Sequence, residues 1–205
     1  MLSNRDKRHI AILGVPVEEG AGRQGCRMGP DALRIAGLVE VLQELDHDVE
    51  DYGDVSRCPS SLQLAGNAVH SDHVSGWARS IFKAGLQAFG RERIPIFLGG
   101  DHSLSMGSVA AALGHAEQLG RPLHVLWLDA HADFNTPFTS DTGNMHGMST
   151  ALLCGESGFD GVMEYFPTLP PRQLHIFGAR SIDLPEKDRL AERSVDVCDM
   201  RRLDE

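Results

Sequence analysis

Short, continuous apolar runs alternate along this chain with segments whose apolar residues recur at helical spacing, and few folds accept that alternation. "IAILGV" (10–15), "IPIFLGG" (94–100), "LHVLWLD" (123–129), "QLHIFGA" (173–179) and "SVDVCD" (194–199) read as strands, with a further short strand near "HDVEDY". Between them "GPDALRIAGLVEVLQEL" places Leu33, Leu38, Val41, Leu42 and Leu45 at helical spacing, with Pro30 where a first-turn proline is tolerated. A largely helical section is expected over 61–90, with Trp77, Ile81, Phe82 and Leu86 as its buried stripe. "SLSMGSVAAALGHAEQLG" and "SIDLPEKDRLAE" read as two more helices. Strands that are apolar throughout, rather than half polar, belong to a mostly parallel sheet covered on both faces. The expected fold is therefore an α/β protein, a three-layer α/β/α sandwich, with residues 1–205 forming one domain. A chain of 205 residues has enough length for one substantial core, and no repeat or linker divides it.

In such a sheet the ligand site lies beyond the carboxyl ends of the strands. Two polar clusters, "GGDHS" and "DAHAD", begin at those ends. An extended continuation of the strand over 127–129 would turn Asp129, His131 and Asp133 toward one side, because alternate residues share a face. Two carboxylates and an imidazole crowded together repel one another unless a cation compensates them, and His102 would add a second nitrogen. Either cluster alone reads as well as a capped turn, with Ser103 or Asp101 as the cap. Together on successive strands they point to a divalent metal, and oxygen-rich ligation without thiolates leans toward Mn²⁺. The next loop, "NTPFTSDTGNMHG" (135–147), offers hydroxyl and amide side chains to a polar small molecule, and its His146 is a candidate for moving protons.

Composition removes the competitors. A formal net charge of -10 repels nucleic-acid backbones and anionic membranes, so neither is an expected partner. The four cysteines, Cys26, Cys58, Cys154 and Cys198, form no CxxC pair and read as reduced thiols of a cytoplasmic protein. The early loop "GVPVEEGAGRQG" lacks G-x-G-x-x-G spacing, and neither a P-loop nor a G-x-S-x-G elbow occurs. No apolar run approaches membrane-spanning length, and the basic start followed by "IAILGV" reads as a buried strand rather than a secretory signal.

With these motifs in place, the sequence resembles the ureohydrolases, the family of arginase and agmatinase. "GGDHS" and "DAHAD" resemble its first two metal-binding motifs, "GCRMGPDALR" its N-terminal motif, "TSDTGNMHG" the SGN-x-HG segment of the arginase branch, and "GARSIDLPE" the later segment that receives an α-amino group. The resemblance implies hydrolysis of L-arginine to L-ornithine and urea at a centre of two manganese ions. It implies His102 on the first ion, His131 on the second, Asp129 bridging both, and Asp133 on the first as well as in proton handling. His146 would be the proton shuttle. Asn135, Ser140, Thr142 and Asn144 would face the amino-acid end of the substrate, and Asp183 with Glu186 would receive the ammonium. Thr142 stands where the branch has serine, which keeps the hydroxyl and adds a methyl. The resemblance allows a homo-oligomer.

The later Asp-x-Asp-containing motif and a still later glutamate of the family have no counterpart in this sequence, which ends at "MRRLDE". The expectation is a family fold incomplete at its C-terminal side, with impaired activity. Agmatinase is the alternative activity, and a noncatalytic assembly partner the alternative from another class.

Overall fold

The computed structural model describes residues 7–90 and 93–203. Its elements run β1 (His9–Val15), α1 (Gly29–Ile35), α2 (Leu38–Glu44), β2 (Asp48–Asp54), α3 (Ser71–Phe89), β3 (Ile94–Gly99), α4 (Ser105–Gln118), β4 (Val125–Leu128), α5 (Ser149–Leu153), β5 (Leu174–Ala179), α6 (Leu184–Glu192), β6 (Asp196–Asp199) and α7 (Met200–Leu203). All strand pairs are parallel. They form two three-stranded sheets, ordered β2-β1-β3 and β4-β5-β6, rather than the one sheet expected.

β1 shows why an apolar run becomes a buried central strand. Ile10 and Ile12 pack toward Leu38 and Leu42 of α2, while Ala11 and Leu13 pack toward Ala84 and Ala88 of α3. Successive side chains thus reach opposite layers, which is the α/β/α arrangement at this sheet. The core beside the second sheet gathers Trp127 and Ile176 with Ala78, Met106 and Ala110 of α3 and α4, and with Ala151 and Leu152 of α5. The opposite face of that sheet breaks the expectation of burial on both sides. Leu126 and Leu128 are 62 % and 70 % exposed, and Phe177 is 40 % exposed, because no described element lies over them.

Two helix expectations are also corrected. The segment 29–45 is two helices rather than one: Gly37, at φ 88°, ends the first and starts the second in a left-handed conformation that glycine adopts without penalty. Only Leu38 and Leu42 of the supposed stripe reach a core, whereas Leu33, Val41 and Leu45 are exposed. Residues 61–70 are not helical. His70, at φ 55°, marks the point where α3 starts, and the segment before it crosses the surface as irregular chain. Within α3 the stripe holds: Trp77 and Ile81 are buried, and Phe82 and Leu86 half-buried. Among the described residues no helix is long and apolar enough to cross a membrane.

Candidate functional site

β3 ends in "GGDHS", and the close packing of its second glycine sets the path of the chain beyond the strand. A side chain on Gly100 would collide with the carbonyl oxygen of Val17, so only glycine lets β3 leave the sheet against the loop after β1. Gly100 and Asp101 donate their N–H groups to the carbonyls of Val15 and Val17. The Asp101 carboxylate, buried, accepts from Ser103 N at 2.9 Å, from Ser103 Oγ at 2.6 Å and from Ala21 N at 2.9 Å. Asp101 is thus the cap of the 3₁₀ turn His102–Leu104, and it also fastens the loop after β1. His102 emerges from this turn half-buried and lies against Trp127 of β4, with ring centroids 4.6 Å apart.

The second cluster converges by a turn and not by the extended continuation expected from its spacing. β4 stops at Leu128, Asp129 Oδ1 accepts the His131 N–H at 3.0 Å, and Asp133 takes a left-handed conformation at φ 52°. The outcome brings three ligand-type atoms together. His102 Nδ1 is 3.1 Å from Asp129 Oδ2 and 2.9 Å from Asp133 Oδ2, and the three groups lie within 4.8 Å of one another. Asp133 Oδ2 is buried and makes no hydrogen bond of proper geometry, its nearest polar neighbour being His102 Nδ1 at 2.9 Å, so a nitrogen and two carboxylates face a common point. Such a donor set suits a hard or borderline divalent cation. His131 stays outside this trio: it is exposed, with Nδ1 3.4 Å from Asp129 Oδ1, on the other oxygen of the shared carboxylate.

Burial works against a charged His102, but the carboxylates of Asp133, Asp129 and Asp101 outweigh it and raise its pKa above the ordinary imidazole value. In Glu186 burial, with Asp183 and Asp133 nearby, pushes the pKa up despite two backbone hydrogen bonds that favour its anion.

Beside the trio opens a cavity of about 440 Å³, lined by His131, Asp133, Asn135, Ser140, Thr142, Asn144, His146, Asp183 and Glu186 among others. Every residue assigned to the substrate by resemblance therefore meets there. Ser140 Oγ accepts from Gly143 N and Thr142 Oγ1 from Asn144 N, which leaves each hydroxyl hydrogen available as a donor. Asn135 Nδ2 donates to Asp183 Oδ2 at 3.2 Å. Glu186, 4 % exposed, accepts from the backbone: Phe134 N at 2.8 Å and Asp183 N at 3.0 Å.

Sequence reasoning missed Asn67, which lies in the segment expected to be helical. Its backbone N–H reaches the carbonyl of Pro137, and its amide donates to the carbonyls of Ser140 and Asp141 at 3.0 and 3.1 Å. It thereby shapes the loop that carries Ser140 and Thr142. No spacing signal marks such a residue, since its partners are backbone atoms seventy or more positions away.

Known proteins resemble this chain over most of its length. The chain is 44 % identical over 196 residues to the arginase of Agrobacterium fabrum, covering 95 % of this chain and 60 % of that protein. It is 36 % identical over 200 residues to the arginase of Bacillus caldovelox, covering 95 % of this chain and 66 % of the relative. The crystal structure of arginase from Bacillus cereus superposes with a TM-score of 0.85 at 33 % identity, over 97 % of this chain and 66 % of that one. The chain thus spans about 60 to 66 % of the length of these relatives. Residues 8–205 match the Arginase family, and the chain belongs to that family.

Proposed function

We propose that these residues form the manganese-binding and substrate-binding part of an arginase-type site, which hydrolyses L-arginine to L-ornithine and urea. The observation that carries this reading is the convergence of His102, Asp129 and the buried Asp133 within 4.8 Å of one another at the edge of the polar cavity. His102, Asp129 and Asp133 would hold one ion, and His131 with Asp129 a second. Bound divalent ions supply Lewis acidity that makes water nucleophilic near neutral pH.

The remaining roles belong to side chains. Ser140, Thr142 and Asn144 donate to the α-carboxylate, and Asp183, held by Asn135, accepts from the α-ammonium with Glu186 acting from behind it. This orients the guanidinium carbon toward the trio. Water adds to that carbon with one proton passing to Asp133, and the C–N bond to the ornithine nitrogen breaks as His146 protonates that nitrogen. The added hydroxyl gives up its remaining proton to become the urea oxygen, so both water protons end on the amine, which leaves as an ammonium. The hydroxyl and amide donors at 140–144 favour arginine over agmatine, which has no carboxylate for them. Two carboxylates face two dications in this ligand set, so turnover by these residues alone is expected to be weak.

A second reading, a noncatalytic assembly partner, draws on the exposed sheet face at Leu126, Leu128 and Phe177. Calorimetric titration of metal-free protein with Mn²⁺ separates the two readings. Specific uptake that falls in His102→Ala and Asp133→Ala supports the metal site, whereas equal uptake in all three proteins removes it.

A further inference from the structure

Asp133 occupies a left-handed conformation that few non-glycine residues adopt, and the contacts that hold it there are visible. Its φ of 52° lies in the left-handed region, yet it is buried, and its carboxylate is the one aimed at His102. Backbone angles at a residue are fixed when the peptide planes on both sides of it are fixed. The plane before Asp133 is held by Thr150, whose hydroxyl donates to the Ala132 carbonyl at 2.6 Å. The plane after it is held at both ends: the Asp133 carbonyl accepts from Thr150 N at 3.0 Å and Ala151 N at 3.4 Å, while Phe134 N donates to Glu186 Oε1 at 2.8 Å. Thr150 is fully buried in α5, so no water replaces its hydroxyl. Glu186 also accepts from Asp183 N, which ties the same clamp to the residue at the ammonium end of the cavity.

We propose that Thr150 and Glu186 are positioning residues which pin both peptide planes of Asp133, hold it left-handed and so aim its carboxylate at His102. Neither touches the ion or the reacting atoms. Glu186 thus joins the metal loop to the start of α6, alongside the Asn135–Asp183 hydrogen bond and the two N–H groups of Arg180 and Ser181 that meet the Ala130 carbonyl. This inference rests on the metal-site reading above, but the backbone conformation is measurable without metal.

The test uses Thr150→Val, which keeps the branched shape and removes only the hydroxyl, Thr150→Ser, which restores it, and Glu186→Gln. Crystal structures of the metal-free variants report the Asp133 backbone, and calorimetry reports Mn²⁺ affinity. In Thr150→Val the Asp133 Oδ2 to His102 Nδ1 separation should open from 2.9 Å, with Mn²⁺ bound about tenfold more weakly, the low end of what loss of a residue supporting a metal ligand costs. Thr150→Ser should stay within about threefold of the parent, since its hydroxyl is retained. A Thr150→Val protein and a Glu186→Gln protein that both keep Asp133 left-handed, with parental Mn²⁺ affinity, would overturn the proposal. Should Thr150→Val fail to fold, Glu186→Gln, whose amide oxygen still accepts from one of the two N–H groups, decides by the same two measurements. A parent that takes up no Mn²⁺ removes the metal reading, while the Asp133 conformation in the variants still decides the positioning claim.

Discussion

Removing one negative charge from the trio should have opposite effects with and without metal. Asp133→Asn is the suitable perturbation because asparagine tolerates the left-handed conformation that Asp133 adopts at φ 52°. Without metal, the Asp129 and Asp133 carboxylates stand within 4.8 Å of each other. At that separation two like charges repel by about 1 kcal/mol at the dielectric of water and about 3.5 kcal/mol at an effective value of 20. A protonated His102 imidazole, 2.9 Å from Asp133 Oδ2, would outweigh this repulsion, so it is above the raised His102 pKa, where the imidazole is neutral, that the substitution should stabilise the metal-free protein by about 1 kcal/mol. For 205 residues the unfolding entropy is about 0.43 kcal/mol/K, and the expected rise in Tm is about 2 °C.

With Mn²⁺ the sign reverses. Free metal at a hundred times its dissociation constant stabilises the native state by about 2.7 kcal/mol, which is about 6 °C in Tm. Asp133→Asn removes an anionic ligand and should erase most of that shift. Differential scanning fluorimetry of both proteins, chelated and with millimolar Mn²⁺, reads all four values. A variant that melts lower than the parent when chelated, yet gains the parental Mn²⁺ shift, would refute both the repulsion and the ligation.

The strand-helix alternation was legible because burial on both faces leaves a continuous apolar run, as in β1, where every residue after His9 is buried. The convergence of His102, Asp129 and Asp133 was legible for a related reason: ionisable residues at strand ends are costly without a partner, so their clustering carries chemical meaning. The features that escaped depend on contacts distant in sequence. The break at Gly37 was masked by apolar residues that continue at helical spacing on either side, although the exposed Leu33 and Val41 show that the spacing there served no core. The left-handed turn at Asp133 depends on Thr150 and Glu186, 17 and 53 positions later, and no local propensity encodes it. Asn67 shapes the loop around Ser140 and Thr142 through carbonyls that any sequence would provide.

Three other contacts carry outcomes of their own. Burial, followed by the Glu156 carboxylate, pushes the Cys154 thiol up to about 12, so iodoacetamide at pH 8 should modify Cys26 in the native protein while leaving Cys154 intact; mass spectrometry showing Cys154 alkylated first would contradict its packing. The Arg34 guanidinium holds the Asp51 carboxyl below its usual range, so this pair contributes above the unfolded carboxyl pKa and is lost as pH falls through the folded one. Asp51→Asn should therefore cost about 0.5 to 1 kcal/mol at pH 7, given the partial exposure of both partners, and progressively less on acidification; urea melts showing a cost that grows toward acid pH would refute the sign. The last outcome concerns the substrate: Ser140 and Thr142 already accept backbone N–H groups, so each hydroxyl retains its hydrogen for an incoming carboxylate, and Asp183 supplies the acceptor for an ammonium. Hydrogen bonds to charged groups contribute about 1.5 to 3 kcal/mol each, so the Mn²⁺-loaded protein should bind L-arginine at least ~10-fold more tightly than agmatine, which lacks the carboxylate. Competition calorimetry gives both constants directly, and equal or tighter binding of agmatine would mean that the 140–144 loop does not read the amino-acid end, even with the metal trio intact.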